Sequence, residues 1–518
     1  MALPAIFCAV IFLHAFASGF GAEERPNIIF IVADDLGWND VSFHGYNEIP
    51  TPNIDRLAQS GVILNSHYAQ ALCSPSRASL MTGKYPIRLG MQNGVLTPGT
   101  AQSLPLNEKL LPEYLRDAGY STHMYGKWHL GYAENRMLPT SRGFDSFFGY
   151  LNAWVDYYTS NLIWDFNPAY GGLDLWDNLE FVGRNYTGQY LTELLTAKAN
   201  ERIKNHNFNQ KPLFMYIAHL AAHFANTEDP MQAPDRYTNR FDHIAHSGRK
   251  TTAGMIAALD DSLGQIVDAL QERNALHNTI IVFTADNGAS GPEKLIHTTP
   301  PFTYGTNWPL RGTKMTQWEG GVRTSAFVWS DLIKGPGRVS NEIFHISDWL
   351  PTLISLAGGQ APGEIDGHNI WTSIANGYPS PRQEVLIQAD SVNQEYAIRW
   401  HQFKLILGGW TATGSIPDGW YPPVGGVNAS FERDTPSRLH CPHRDSDIPC
   451  HVRDSPCLFD VETDPCEHNN IVSYFPDIEK LLLDKLAVYN ASAVLSGPWR
   501  PDPRAATALH DGIMAPWL

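Results

Sequence analysis

Asn27-Ile28-Ile29-Phe30-Ile31-Val32-Ala33-Asp34-Asp35 opens with a β-branched and aromatic run and stops on two carboxylates. Residues 27–32 show no alternation of polar and apolar positions, so they read as a parallel strand buried on both faces. Residues 279–284, Thr-Ile-Ile-Val-Phe-Thr, repeat the pattern and lead into Asp286-Asn287. Ahead of them Met255, Ile256, Leu259, Leu263, Ile266, Val267 and Leu270 recur at helical spacing. A helix therefore feeds a strand, the mark of an α/β fold. Further strands are expected at 121–125, 213–218 and 325–329, and helices at 53–60, 107–118, 188–204 and 347–357. The prediction is a large, mostly parallel sheet sandwiched by helices. Ligands of such sheets bind outside the carboxyl ends of the strands. Asp34, Asp35, Asp286 and Asn287 fall there, as does His219 or His223 after the 213–218 strand.

The composition fits this frame. The chain has 518 residues, 43% of them apolar and 17% charged, with a formal net charge of −16. That excludes a disordered or collagen-like chain. It also speaks against a nucleic-acid partner, which calls for a basic excess. The length allows one large core and a smaller domain. We place a catalytic domain over 23–375 and a smaller C-terminal α+β domain with an antiparallel sheet over 376–518. Residues 408–426, rich in Gly and Pro and holding Trp410 and Trp420, read as a long ordered loop.

Residues 5–17 are apolar and are followed by small residues through Ala22. Their length suits a signal peptide over 1–22, cleaved within 19–22, and is short for a membrane span. No later apolar run is long enough to cross a bilayer. N-x-S/T sequons at Asn185, Asn428 and Asn490 agree with a glycosylated protein of the secretory route, lysosomal or extracellular. Of the six cysteines, Cys8 would leave with the leader. Cys441, Cys450, Cys457 and Cys466 crowd together and suggest two disulfides. Among the possible pairings we expect Cys441–Cys450 with Cys457–Cys466, because short loops close easily. A zinc site is the competing reading, but no C-x-x-C pair is present.

Cys73 remains. In Cys73-Ser74-Pro75-Ser76-Arg77, Pro75 suits the first turn of a helix and Gly83 its end. Cys73 then sits at a helix N-terminus, which favours anions, with Arg77 one turn along the same face. Ala71-Leu72-Cys73-Ser74-Pro75-Ser76-Arg77-Ala78-Ser79-Leu80-Met81-Thr82-Gly83 resembles the first signature of the type I sulfatases. Gly119-Tyr120-Ser121-Thr122-His123-Met124-Tyr125-Gly126-Lys127-Trp128-His129 resembles the second. The likeness continues through Asp286-Asn287-Gly288, Arg311-Gly312-Thr313-Lys314 and Glu319-Gly320-Gly321-Val322-Arg323 to His345-Ile346-Ser347-Asp348-Trp349-Leu350-Pro351-Thr352. It is weakest over 155–205 and 408–455. Asn307-Trp308-Pro309-Leu310-Arg311-Gly312 and Asp348-Trp349-Leu350-Pro351 look most like the arylsulfatase B branch, the N-acetylgalactosamine-4-sulfatases.

The resemblance implies an alkaline-phosphatase-like sulfatase fold and a sulfuric ester hydrolase. It implies that Cys73 is oxidised to formylglycine by a formylglycine-generating enzyme and hydrated to a gem-diol nucleophile. It implies one calcium per subunit, held by Asp34, Asp35, Asp286, Asn287 and the converted Cys73. The residue types alone, all oxygen donors apart from Cys73, suit a hard cation and would equally allow magnesium or manganese. By the same resemblance Arg77 and Lys127 hold the formylglycine and metal-side oxygens, and His129 takes a proton during sulfate elimination. His223 and Lys314 bind sulfate and protonate the leaving oxygen. With a divalent cation added, the three aspartates and three cations leave a locally positive pocket inside an acidic protein. His223 is preferred to His219 on the family's pattern. The expected substrate is a sulfated carbohydrate, N-acetylgalactosamine 4-sulfate in particular, or an aryl sulfate. The alternatives are a small plant-derived or other aryl sulfate ester, a phosphohydrolase of the same fold, and a catalytically silent binder of sulfated glycans. Cys73 in place of Ser or Thr argues against the phosphohydrolase.

Overall fold

The strand Asn27–Ala33 is buried along its whole length and lies between two parallel neighbours, Thr279–Ala285 and Leu213–Ala218. It belongs to a computed structural model that describes residues 25–225, 227, 229–291, 303–409, 418–444, 450–497 and 499–518. The expected leader 1–22, with Cys8, lies outside the described residues, as does Trp410.

Among the described residues, ten strands form one mixed sheet. Its order is Arg338–His345, Val62–Tyr68, Ala326–Trp329, Thr279–Ala285, Asn27–Ala33, Leu213–Ala218, Ser121–Lys127, Ser146–Tyr150, Trp176–Asp177 and Glu180–Phe181. The five strands from Thr279–Ala285 to Ser146–Tyr150 are mutually parallel. Their chain direction puts the ends of the central strands, and the carboxylates that follow them, on one edge. Ala326–Trp329 enters antiparallel between Thr279–Ala285 and Val62–Tyr68. The predicted strands are all present. Val62–Tyr68 was not anticipated, because Asn65, Ser66 and His67 interrupt its apolar run. All of it is nevertheless buried, since His67 Nδ1 meets Thr324 Oγ1 at 2.8 Å, and Trp349 Nε1 donates to His67 Nε2 at 3.1 Å.

Helices flank the sheet in two groups. Pro52–Ser60, Leu191–Asn205 and Ser247–Glu272 pack together, as do Cys73–Thr82, Leu111–Asp117 and Trp349–Leu356. The helix expected over 107–118 begins only at Leu111, where Pro112 sits in the first turn and Glu113 accepts from Leu110 N.

Asp260 joins two helices of the first group. Buried on the long helix, it accepts from Asn53 N at 3.2 Å, Asn53 Nδ2 at 2.9 Å and Ile54 N at 2.8 Å, tying the start of Pro52–Ser60 to that helix. Burial pushes its carboxyl up to about 6. Asp260→Ala strands these donors and is expected to cost about 2–4 kcal/mol. Asp260→Asn, which keeps one carbonyl acceptor, should lose less. A thermal midpoint unmoved by the alanine would contradict the bridging role.

A second, antiparallel sheet runs Glu384–Asp390, Glu395–Trp400, Phe403–Gly408, Cys457–Asp460, covered by the helix Pro476–Ala491. The chain then returns to the large layer, where Met514 N donates to Leu173 O at 3.0 Å and Trp517 packs edge-on against Tyr132. The expected disulfide pairing is wrong. The bonds are Cys441–Cys466 and Cys450–Cys457. Cys457 begins the strand Cys457–Asp460, and Cys466 follows the turn after it. The strand's rise of roughly 3.3 Å per residue carries the two apart. A turn at His451–Ser455 instead brings Cys450 back to Cys457.

Candidate active site

The helix Cys73–Thr82 has Pro75 in its first turn and ends at Gly83, whose φ of 71° is left-handed. Cys73 is thereby buried at the helix N-terminus. Burial pushes its thiol up to about 11. Asp34 and Asp35 continue the central strand, and Asp286 N donates to Ala33 O at 3.2 Å, setting Asp286-Asn287 beside Asp34-Asp35. Gly288 lets that turn approach residues 319–322, since a Cβ there would meet Gly320 O at 1.8 Å.

Three cations each meet one of the three aspartates. Lys127 Nζ lies 2.5 Å from Asp34 Oδ2, and Lys314 Nζ lies 2.6 Å from Asp35 Oδ1. Arg77 grips Asp286 Oδ2 through Nη2 at 2.7 Å and Nε at 3.1 Å, and its Nη1 reaches Lys127 O at 3.3 Å. All six side chains are buried or nearly so. Burial, with Asp286 alongside, raises the Asp34 carboxyl to about 7. Burial opposes the charge of Asp35 as well, but Lys314 and His223 beside it hold that carboxyl well below the usual range.

His223 Nε2 is 3.5 Å from Asp35 Oδ2, and its Nδ1 meets Phe224 O at 2.8 Å. His219 points elsewhere, its Nε2 3.0 Å from Ser262 Oγ on the long helix. His129 approaches Leu96 O through Nε2 at 3.0 Å, which selects the tautomer with the proton on Nε2. Its Nδ1 is buried and has no hydrogen-bond partner among the described residues. Burial, then Lys127, keeps His129 well below the ordinary imidazole range. Asp35 and His129 both adopt left-handed backbone, with φ of 56° and 55°. Residues with a Cβ rarely do so, and such strain collects at functional sites.

The cluster can hold a cation. One ligand atom each from Asp34, Asp35, Cys73 and His223 lies within 4.8 Å of the others. Asp34 Oδ1 and Asn287 Oδ1 are buried acceptors that no donor among the described residues reaches. Orphaned buried oxygens at the end of a negatively charged turn suit a hard ion. Asn287 Nδ2 donates to Asp35 Oδ1 at 2.7 Å, and Ser290 Oγ to Asp35 Oδ2 at 3.1 Å.

The site thus gathers Cys73, Arg77, Lys127, Lys314, Asp34, Asp35, Asp286, Asn287 and His223, and the contact of Ser74 Oγ with His129 O at 3.1 Å ties His129 to the same helix. Sequence reading missed Ser290, although it lies in the same turn as Asn287. It also missed Tyr216, whose hydroxyl accepts from Arg77 Nη1 at 3.4 Å. Tyr216 looked like an ordinary residue of a buried strand.

The structure thus places an acidic and cationic centre at the strand ends of an α/β sheet, beside a buried cysteine at a helix N-terminus. The Sulfatase family model matches residues 26–359, and the chain belongs to that family. It is a sulfuric ester hydrolase. It is 37% identical to arylsulfatase J of Mus musculus over 96% of this chain and 81% of the relative. It is 32% identical to N-acetylgalactosamine-6-sulfatase of Mus musculus over 86% of this chain and 82% of the relative. The crystal structure of Ps i-CgsB in complex with k-i-k-neocarrahexaose superposes with a TM-score of 0.73 at 27% identity, over 92% of this chain and 95% of that one.

Proposed function

We propose that this sulfatase removes sulfate from sulfated carbohydrates through a formylglycine formed at Cys73, with calcium bound at Asp34, Asp35, Asp286 and Asn287. The observation that carries the reading is the meeting of Cys73, at its helix N-terminus, with Asp34, Asp35 and His223. The N-acetylgalactosamine 4-sulfate of glycosaminoglycans is the substrate favoured by the sequence motifs. Other sulfated glycans, and aryl sulfates, are the competing substrates. Two relatives named above carry other sulfatase names, and a glycan occupies the Ps i-CgsB structure.

The chemistry needs a nucleophile that can also release sulfate. As a gem-diol, residue 73 attacks sulfur with one hydroxyl while the substrate's S–O ester bond breaks and its alcohol leaves. Loss of the other hydroxyl's proton then re-forms the aldehyde, breaks the C–O bond to the transferred sulfate and frees it, and water restores the diol. His129 suits the second task, because Nδ1 is left open while Nε2 is engaged. Lys314 and His223, both on Asp35, orient the sulfate and supply a proton to the leaving oxygen. Lys127 and Arg77 fix the carboxylates beneath residue 73. Bound calcium would polarise an ester oxygen and lower the pKa of a neighbouring hydroxyl.

The tryptic peptide Leu57–Arg77 from protein made in a secretory pathway tests the nucleophile. It should carry an aldehyde, and unmodified cysteine throughout would sink the mechanism. That pathway is proposed from the leader, the two disulfides and the sequons, of which Asn185 and Asn428 are at least partly accessible. Chelation with EGTA should remove activity and lower the thermal midpoint. Calcium at about 100 times its Kd should restore about 2.7 kcal/mol of stability. A midpoint indifferent to EGTA and calcium would count against the ion.

A further inference from the structure

His223 ends a run of aromatic rings that leads away from the reactive centre. Trp154 stacks on His223 with centroids 5.8 Å apart and planes 12° apart. Trp164 stacks on Trp154 at 5.8 Å and 12°. Phe166 follows Trp164 at 5.7 Å and is 84% exposed. Nearly parallel rings at that separation do not overlap fully, since full overlap places them at about 3.5–4 Å. They are offset, and Trp154 and Trp164 are only half-buried. The strip is anchored: Trp154 Nε1 donates to Ile163 O at 3.3 Å, and Tyr157 OH donates to His223 O at 2.8 Å. Trp164 and Phe166 lie on the connection between the paired strands Asn161–Leu162 and Gly172–Leu173.

The charge around this strip matters as much as its rings. Between Arg142 and Arg184 the sequence has no Lys or Arg, and the whole chain carries −16. A polyanion finds no cationic track along this segment to follow. What the strip offers is apolar area: ring edges and the parts of the Trp154 and Trp164 faces that His223, Phe224 and each other leave uncovered, ending in the exposed ring of Phe166. These suit the C–H faces of pyranose rings and leave the sulfates to solvent. A single aryl ring beside His223 would use only the first step of the run, whereas a chain of sugars would use all of it.

We propose that Trp154, Trp164 and Phe166 form a leaving-group subsite for successive sugar rings of a sulfated glycan, the sulfate-bearing ring at Trp154 and the next toward Phe166. The assignment rests on the glycan reading of the active site. It makes the enzyme one that acts on oligosaccharides in preference to small sulfate esters.

Binding, measured apart from turnover, tests it. Full-length Cys73→Ala protein is titrated calorimetrically with di-, tetra- and hexasaccharides of chondroitin 4-sulfate and of carrageenan. Affinity should rise at least about fivefold from di- to tetrasaccharide in one series, from about 1 kcal/mol of added stacking. The gain should persist in about 0.5 M NaCl, where exposed charges are screened. Trp164→Ala in the same background should erase most of that gain, and Trp164→Phe should keep most of it. Phe166→Ala, at an exposed position, should lower hexasaccharide affinity with the thermal midpoint held. No binding, no length dependence in either series, a gain that vanishes in salt, or a full gain in Trp164→Ala overturns the subsite. Length-dependent binding by an unmutated enzyme that turns over no sulfate ester would overturn the hydrolytic mechanism and leave the subsite standing.

Discussion

Cys73→Ala is expected to abolish sulfate ester hydrolysis, by at least about 10⁴-fold, while the protein stays folded. Removing a nucleophile that acts in concert with its neighbours costs nearly the whole chemical advantage. The stability cost should be small, within about 1–2 kcal/mol, because a buried Cys behaves as a small apolar residue and alanine leaves little cavity. The helix Cys73–Thr82 takes its C-terminal cap from Gly83 N, which donates to Ser79 O, and alanine at its first residue leaves that cap in place. Cys73→Ser is the more telling partner. It keeps an oxygen at the site but cannot pass through an aldehyde, so it should form a sulfate ester and stall. After incubation of that variant with 4-nitrocatechol sulfate, mass spectrometry of the peptide spanning position 73 should find sulfate trapped on it. Multiple turnovers by either variant would contradict the proposed role of Cys73.

The parallel core was legible because residues 27–32, 213–218 and 279–284 are apolar on both faces, a pattern that only doubly covered strands require. The carboxylates could be placed because parallel strands send their ends to one edge. Val62–Tyr68 was illegible for the converse reason: its polar residues are buried, but their partners, Thr324 and Trp349, are hundreds of residues away. The disulfides failed on the same ground. Loop length alone ignores the extended strand that separates Cys457 from Cys466. Within the site, His223 and His219 could not be separated by spacing. The structure separates them through Asp35 and Ser262. The aromatic run from Trp154 to Phe166 falls where the family resemblance is weakest, so no motif pointed to it.

Arg77→Met should be the most damaging single change to stability in the site. Arg77 is 1% exposed and closes on Asp286 through two nitrogens, with Asp34 3.9 Å from Nη2. Methionine of similar length fills the space but, in the calcium-free protein, leaves the Asp286 carboxylate buried without a counter-cation, which costs about 3–5 kcal/mol. Lysine should not rescue it, because an ammonium cannot serve Asp286 and Lys127 O from the planar fork that a guanidinium presents. Activity should fall at least about 100-fold, as the acidic pair that Arg77 holds shifts beneath residue 73. The sign of the calcium effect discriminates this account from simple misfolding. Loss of a positive charge beside Asp286 and Asp34 makes the cluster more negative, so calcium should bind more tightly to the variant than to the parent. The drop in thermal midpoint on adding EGTA should therefore be larger in Arg77→Met, even though its midpoint starts lower. Asp286→Asn in the same chain removes the stranded charge and should recover part of the loss. Equal EGTA shifts in parent and variant, with no recovery in the double variant, would show that Arg77 does not balance these carboxylates.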